Sequence, residues 1–141
     1  MTRHKRVNKA EFETLAAFRY ALRRFLHFSE EAAHSAGITP QQYQALLAIK
    51  GFPGREKVTV GELAERLQLR HHSAVGLVDR LVTERLALRV ASELDRRRVV
   101  IQLTERGQSI VEEIASAHRS QLKEVGPEIS ALLSRLADAS E

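Results

Sequence analysis

The sequence predicts a mainly α-helical protein with one small β-hairpin, and three observations lead to this fold class. Apolar residues recur every three or four positions over most of the 141 residues, which is the spacing of amphipathic helices. Two sequences of the type Thr-x-x-Gln or Thr-x-x-Glu, at Thr39 and Thr59, mark helix starts. Between Leu86 and Leu103 the apolar spacing changes to two, which is typical of strands.

The first helix is predicted from Asn8 to about Ala36, and Gly37 ends it. Its apolar residues follow helical spacing and are Phe12, Leu15, Phe18, Leu22, Phe25 and Leu26. A helix with a long apolar stripe at one end of a short chain needs a partner surface to cover it. This stripe therefore favours dimerisation.

A second helix begins at Thr39 as N-cap, with Pro40 at the first helical position and Gln42 completing a capping box. The segment from Lys50 to Lys57 contains two glycines and a proline, which predicts a loop. A third, short helix follows from the second capping box, since Glu62 lies three residues after Thr59. After a tight connection over 68–70, helical spacing resumes, and the two short helices outline a helix-turn-helix.

On a helical wheel, the fourth helix, from His71 to Arg85, has an apolar and a polar side. The apolar side carries Ala74, Leu77, Val78, Leu81 and Arg85. The polar side carries His72, Gly76, Asp79 and Thr83, flanked by Ser73 and Arg80. Short polar side chains near the N-terminus can reach base edges in a major groove, while an arginine one to two turns on can reach a phosphate. We therefore predict a recognition helix, although a solvated helix surface would show the same pattern.

The hairpin that follows is predicted to place alternate residues on the core: Leu86, Leu88, Val90, Val99, Ile101 and Leu103. Its tip holds Asp95 and the three arginines Arg96, Arg97 and Arg98. Adjacent like charges repel unless an anion offsets them, and Asp95 is suited to orient a guanidinium through a bidentate contact. Beside a recognition helix, such a tip fits the electronegative minor groove, and we call this hairpin the wing.

Two more helices are predicted after the wing. Thr104 caps a long helix that runs to about Val125 and points Ile110, Val111, Ile114, Ala117 and Leu122 inward. Gly126 and Pro127 are predicted to break it and to start a last helix with a second apolar stripe. This stripe consists of Ile129, Leu132, Leu133 and Leu136.

Charge and composition narrow the possible functions. The net charge is +4, and the segment from Arg66 to Arg98 carries the whole surplus, which fits either a polyanionic partner or a solvated charged face. Because cysteine is absent, disulfides, thiolate zinc sites and cysteine nucleophiles are excluded. The common phosphate-binding and hydrolase motifs are missing as well, so we predict no enzyme activity and no cofactor.

Metal and membrane partners are not predicted either. His27 and His34 lie two helical turns apart, roughly 10 Å, which is too far for one zinc ion without a bridging ligand. No apolar run is long enough to cross a bilayer, and the N-terminus lacks the apolar core of a signal peptide. We therefore expect a cytoplasmic protein.

Three short motifs follow one another at fixed spacing: Leu-Val-x-Arg-Leu in the fourth helix, Asp-x-Arg in the wing and Leu-Thr-x-x-Gly at the wing's end. In this chain they are carried by Leu77, Val78, Arg80, Leu81, Asp95, Arg97, Leu103, Thr104 and Gly107. With this combination, the run from Glu62 to Gly107 resembles the winged helix-turn-helix of the MarR family of bacterial transcriptional regulators. The order of the helices on either side also fits, so the resemblance covers most of the chain.

The resemblance implies a homodimer that binds a pseudo-palindromic double-stranded DNA operator with one recognition helix and one wing per half-site. It further implies a repressor that a small, phenolic or anionic effector releases from DNA, with Arg23 and His27 as effector contacts. The residues predicted to contact DNA are Arg70, His71, His72, Ser73, Gly76, Arg80, Asp95, Arg96 and Arg97. Segments 8–38 and 104–141 are expected to form the dimerisation helices, and 39–103 the DNA-binding region.

Two departures from the family limit what can be transferred. Arg70 stands where the family often has a capping Ser or Thr, and Gly76 stands where it often has an arginine or another polar residue. Operator preference therefore does not carry over. Two alternatives remain open: a nonspecific architectural nucleic-acid-binding protein without an effector, and a dimer that binds small molecules or proteins and has lost DNA binding.

Overall fold

The structure, a computed structural model, describes residues 5–138. These residues form five α-helices and one three-stranded antiparallel sheet. In chain order the elements are α1 (Lys9–Ser35), α2 (Pro40–Lys50), β1 (Lys57–Val58), α3 (Val60–Leu67), α4 (His71–Thr83), β2 (Ala87–Ala91), β3 (Val99–Leu103) and α5 (Glu105–Asp138). The chain divides into two compact units, which we call the helical unit (5–31 and 116–138) and the winged unit (32–115).

Both predicted capping boxes are confirmed. The Thr39 hydroxyl accepts a hydrogen bond from the Gln42 N–H at 3.1 Å, and the Gln42 side chain accepts one from the Thr39 N–H at 2.9 Å. Thr59 and Glu62 repeat the arrangement at 3.1 and 2.9 Å. Gly37 has a φ of +84°, a conformation that glycine adopts without steric cost, which explains why α1 ends there.

The core of the winged unit joins its helices to the sheet. Its largest fully buried side chains are Leu46, Ile49, Leu63, Leu77, Leu81, Leu86, Ile101 and Ile114. They come from α2, α3, α4, β3, the α4–β2 connection and the start of α5. Because α4 contributes Leu77 and Leu81 to this core, its opposite side is left facing solvent.

The sheet has the strand order β1-β3-β2, and β1 was missed in the sequence. Lys57 pairs with Gln102 and Val58 with Ile101, so the end of the predicted loop is a short edge strand. A strand of two residues is too short to show an alternating pattern. Val58 is nevertheless buried, which ties this segment to the core.

The wing forms as predicted, but the assignment of its core face is wrong for Leu88 and Val99. Leu88 is 46% exposed and Val99 51% exposed, whereas Ala87 is fully buried opposite Leu103. Val99 pairs with Ala91 at the end of β2 farthest from the buried pair of Ala87 and Leu103. For Leu88 the error arises at Leu86, which is buried but precedes β2 and belongs to the connection from α4. Counting the alternation from that residue shifts the strand by one position, and a shift of one exchanges the two faces.

The placement of Arg85 on the apolar side of α4 is also wrong. The helix ends at Thr83, and Arg85 is an exposed residue with a φ of +60°. Its N–H donates to the Val82 carbonyl at 3.0 Å, and the Leu86 N–H donates to the Leu81 carbonyl at 2.8 Å. A helical wheel assumes that the helix continues, so it misplaces a residue in a left-handed turn.

The predicted break at Gly126 and Pro127 does not occur. α5 is one helix of 34 residues with Pro127 inside it. A proline removes one backbone donor and bends a helix, but it does not have to end it when the apolar stripe continues on both sides. Here Val125 and Leu132, seven residues apart, are both buried.

In the helical unit, α1 packs against the C-terminal part of α5. His118 is buried there, and its ring meets the rings of Phe25 and Phe28 edge-on, with centroids 5.5 Å apart in each pair. The burial of His118 was not predicted from the sequence. The prediction that Leu122 points inward is wrong, because Leu122 is 45% exposed. Within 5–138, none of the helices combines the length and the apolar character that a membrane crossing requires.

Candidate nucleic-acid interface

The first turn of α4 presents His71, His72 and Ser73, all of them exposed. Arg70 occupies the N-cap position in an extended conformation and makes no side-chain cap hydrogen bond, because a guanidinium has no acceptor. The N–H groups of this turn are therefore open to solvent and can donate to an anion. An open groove of about 470 Å³, lined by residues between Gly61 and His71, lies beside this end of the helix.

One turn further on, Gly76 leaves the exposed face of α4 without a side chain. A Cβ at this position would have Arg80 Nη1 as its nearest neighbour, at 3.9 Å. The Arg80 side chain therefore runs back along the helix beside Gly76. Arg80, which was predicted to reach a phosphate, thus lies next to Gly76, where the absence of a side chain lets a ligand approach the helix backbone closely.

Asp95 organises the tip of the wing. Its Oδ1 accepts a hydrogen bond from the Arg97 N–H at 3.0 Å, and its carbonyl accepts one from the Arg98 N–H at 2.9 Å. The same Oδ1 lies 3.5 Å from Arg97 Nε, so the ion pair uses one carboxylate oxygen and is not bidentate as predicted. The Arg97 side chain remains 95% exposed, so it can still meet a second anion.

Most arginines on this surface have no acidic partner. Within residues 5–138, Arg70, Arg80, Arg96 and Arg98 make no ion pair, whereas Arg97 pairs with Asp95. Unpaired exposed cations keep their full positive potential toward solvent. The recognition helix and the wing tip of the same unit therefore present the kind of surface that a phosphate backbone binds.

One acidic residue of the exposed side of α4 is paired with a cation that sequence analysis did not single out. Arg89, on β2, donates through Nη2 to Asp79 Oδ1. The alternation of the wing could have suggested the position of Arg89, but its partner depends on the left-handed turn at Arg85.

Thr104 joins the end of the wing to the end of α4. Its hydroxyl donates to the Arg85 carbonyl at 2.7 Å and accepts from the Gly107 N–H at 3.0 Å, so it caps α5 as predicted. Its own N–H donates to the Leu86 carbonyl at 3.1 Å. A Cβ on Gly107 would lie 2.1 Å from that same carbonyl oxygen, so only glycine fits there. The Leu-Thr-x-x-Gly motif is thus a joint between α4, the wing and α5.

Glu62 holds the start of α3 through two sets of contacts. Besides capping Thr59, its carboxylate receives hydrogen bonds from both Nη atoms of Arg55. Burial raises the pKa of Glu62, but the hydrogen bonds from Thr59 and Arg55 and the charge of Arg55 more than offset this, and the pKa is lowered from 4.5. The guanidinium groups of Arg55 and Arg66 lie 4.7 and 5.0 Å from the centre of the Phe52 ring.

The two residues predicted to contact an effector lie on α1 in the helical unit. Arg23 is exposed and makes no ion pair within the described part of the chain. His27 Nε2 lies 3.1 Å from Glu31 Oε1, and both side chains are exposed. No group of three or more His, Asp or Glu side chains among residues 5–138 is arranged to hold a metal ion.

The family model described as "MarR family" matches residues 36–98, which span α2, the helix-turn-helix and the wing up to its last arginine. Over this segment, the chain is similar to the MarR family of winged helix-turn-helix transcriptional regulators. This match confirms the resemblance to a family of transcriptional regulators that the sequence motifs indicated.

Relatives of known sequence or structure extend the MarR likeness beyond that segment. The chain is 28% identical over 90 residues to the HTH-type transcriptional repressor MdtR of Bacillus subtilis, covering 64% of this chain. It spans less than two thirds of the length of the curated relatives it matches, 56% in the case of MdtR. The resemblance to this relative is therefore partial.

Solved MarR structures match nearly the whole chain. A MarR family protein from Bacillus stearothermophilus is 29% identical, with a TM-score of 0.72 and 96% of each chain covered. A mutant MarR from E. coli, complexed with operator DNA, is 22% identical, with a TM-score of 0.65, and the match covers 86% of this chain and 89% of that one. The fold of the described chain is thus the MarR fold.

Proposed function

We propose that this protein is a homodimeric repressor that binds a pseudo-palindromic DNA operator and is released from it by a small-molecule effector. The observation that carries the proposal is a set of exposed arginines, at the start of α4, on α4 and at the wing tip, that have no acidic partner among residues 5–138: Arg70, Arg80, Arg96 and Arg98. The MarR mutant from E. coli was solved with operator DNA, and MdtR is a repressor, which supports the same partner and the same direction of control.

The two parts of the interface have different roles in this proposal. His71, His72, Ser73 and Gly76 meet base edges in the major groove, while Arg70 and Arg80 neutralise phosphates. Asp95 holds the wing tip in shape, and Arg96 and Arg97 enter or flank the minor groove. Because phosphate contacts act on every sequence alike, specificity rests on the first two turns of α4.

Dimerisation is supported by apolar side chains that the helical unit leaves exposed. On α1, Phe12, Leu15, Leu22 and Leu26 are between 38% and 56% exposed, and on α5, Leu122 and Leu133 are 45% and 48% exposed. Apolar groups repeated along two helices are typical of a surface that a second copy covers. We assign segments 8–38 and 104–141 to this association and 39–103 to DNA binding. In such a dimer the two recognition helices would meet major grooves about 34 Å apart.

The effector is proposed to be a small phenolic or anionic molecule that contacts Arg23 and His27. Arg23 is a permanent cation that makes no ion pair in the described part of the chain, and the imidazole of His27 can donate to or accept from a ligand. Occupation of this site would lower operator affinity because the effector binds the DNA-free form more tightly.

Fluorescence anisotropy tests the DNA-binding part. The labelled duplex is DNA from upstream of the protein's own gene, and a scrambled duplex of equal length and composition is the reference. We expect the upstream duplex to bind at least about a thousandfold more tightly at physiological salt. Equal affinity for both duplexes over a range of salt concentrations would refute the repressor and favour the architectural alternative.

Two variants test the division of roles. Arg97→Ala removes a wing cation and should weaken binding to both duplexes to a similar degree, with a shallower dependence on salt. Ser73→Ala, on α4, should instead reduce the preference for the upstream duplex. If both variants changed affinity and preference in the same way, the separation between wing and helix would be wrong.

Dimerisation and effector release need their own measurements. Sedimentation equilibrium at micromolar concentration should give a dimer, and Phe12→Asp combined with Leu133→Asp should give a monomer; a monomeric wild-type protein would refute the dimer.

A thermal-shift screen of phenolic and anionic metabolites should find a ligand that raises Tm and lowers operator affinity. The shift should be smaller in Arg23→Gln, and an unchanged shift would exclude Arg23 from the site.

A further inference from the structure

Asp79 is an acidic residue on the side of α4 that is proposed to face DNA. It lies three residues after Gly76 and seven after His72, on the same exposed side of the helix, and its side chain is 60% exposed. An unpaired carboxylate there would repel the phosphate backbone. An unpaired Asp79 would therefore weaken the binding of this helix to DNA.

Arg89 offsets the charge of Asp79. Its Nη2 donates to Asp79 Oδ1, which forms a charge-assisted hydrogen bond between the recognition helix and strand β2 of the wing. Arg89 stands opposite Ile101 in the β2–β3 pairing, and its side chain is 37% exposed, so much of it is packed within the unit. The bond is thus a direct lateral link between the two elements that are proposed to hold DNA.

The pairing is selective among the nearby cations. Arg80 follows Asp79 directly, yet its guanidinium lies beside Gly76 one turn back. Arg85 lies between the two elements and makes no ion pair within residues 5–138. Of the three arginines close in sequence to this part of the helix, Arg89 alone meets the Asp79 carboxylate in the described chain.

We propose that the ion pair between Asp79 and Arg89 positions the wing against the recognition helix and shields DNA from the charge of Asp79. Both are positioning residues, and neither contacts DNA. The first half of the proposal concerns the protein alone, whereas the effect on DNA rests on the proposed function. By this proposal, the ion pair fixes the angle between α4 and the wing in the free protein, before DNA binds.

Hydrogen exchange of the free protein tests the positioning. In Arg89→Gln and in Asp79→Asn, amides of β2 should exchange about 2- to 5-fold faster, because a partly exposed ion pair contributes up to about 1 kcal/mol to resisting local opening. Arg85→Gln is the matched control, since it removes the same charge four residues earlier from a side chain without an ion pair. Exchange at the wild-type rate in both pair variants would overturn the proposal.

Operator binding tests the consequence for recognition. The measured quantity is the ratio of affinities for the upstream and scrambled duplexes, which is insensitive to a uniform change in charge. Each pair variant should lower this ratio by about 2- to 5-fold, Arg85→Gln should leave it unchanged, and the swapped pair Asp79→Arg with Arg89→Asp should recover most of the loss.

A swapped pair whose loss equals the product of the two single losses would overturn the positioning role, since the two residues would then act independently. A wild-type ratio near one would instead refute the proposed operator binding. In that case the exchange rates of β2 still decide whether the pair holds the wing.

Discussion

Replacing Gly107 by Ala probes the joint at which α5 meets the connection between α4 and β2. A Cβ at this position would lie 2.1 Å from the Leu86 carbonyl oxygen and 3.1 Å from its carbon. Carbon and oxygen atoms in contact need roughly 3.3 Å, so the two backbone segments would have to separate by more than about 1 Å. That movement would strain the hydrogen bond from the Thr104 N–H to the same oxygen, now 3.1 Å long.

The expected loss of stability follows from these two effects. Overpacking in a close-packed region costs about 1 to 3 kcal/mol, and an impaired buried backbone hydrogen bond costs about 1 to 3 kcal/mol more. The better helix propensity of alanine returns up to about 1 kcal/mol. The net loss should be about 1 to 6 kcal/mol, which for a chain of this size lowers Tm by roughly 3 to 24 °C.

Thermal unfolding followed by circular dichroism, at one fixed protein concentration, measures this loss. Gly61→Ala is the matched control, because its Cβ would meet nothing closer than Thr59 Oγ1 at 3.8 Å, an ordinary contact. This variant should be as stable as the wild type or more stable by up to about 1 kcal/mol. If Gly107→Ala unfolded at the same temperature as Gly61→Ala, the close approach of α5 to Leu86 would be wrong.

Three further substitutions test separate features. Glu62→Gln keeps a capping oxygen but loses the ion pair with Arg55. Because the fold lowers the pKa of Glu62, the wild type should be more stable than this variant above pH 4.5, and the difference should vanish as the pH falls through the lowered pKa. Urea unfolding should then show a gap of up to about 1 kcal/mol at pH 7 that closes in acid, and a gap independent of pH would contradict this. Gly76→Ala should raise stability by about 0.5 to 1 kcal/mol, since its Cβ meets only Arg80 at 3.9 Å, yet weaken operator binding; unchanged anisotropy would exclude close approach at this position. Arg85→Gly should stabilise the protein by up to about 1 kcal/mol in thermal unfolding, because a φ of +60° costs little for glycine, and a lower Tm would count against the left-handed turn.

The parts of the fold that were predictable from the sequence are those set by local chemistry. Thr39 with Gln42 and Thr59 with Glu62 form capping boxes within four residues, so no distant contact is needed to recognise them. The same holds for Thr104, which caps α5 through a group three residues away. The apolar stripes of the helices and the alternation near the wing also come directly from the order of residues.

The errors arise where tertiary packing overrides a local preference. Pro127 usually ends a helix, but buried residues on both sides keep α5 continuous. The short strand β1 exists because β3 offers it a partner, which a two-residue pattern cannot reveal. The left-handed residue Arg85 shifts the alternation of β2, so Leu88 falls on the exposed face.

For the candidate site, the sequence predicted which side chains of α4 are exposed, but not the contacts that these side chains make. His72, Ser73 and Arg80 were placed on the exposed side of the recognition helix by periodicity alone, and the structure has them exposed. Which arginines are neutralised depends on carboxylates brought close by the fold, as with Arg89 and Asp79. Such pairings join residues on different elements, so they cannot be predicted from the spacing of residues in the sequence.

Arg70 at the start of α4 gives up a cap that Ser or Thr would provide, which is worth about 1 kcal/mol of helix stability. The N–H groups of the first turn of the recognition helix then receive no side-chain cap from Arg70. A duplex phosphate could accept from these N–H groups, so the bound DNA would supply the helix cap that the sequence omits.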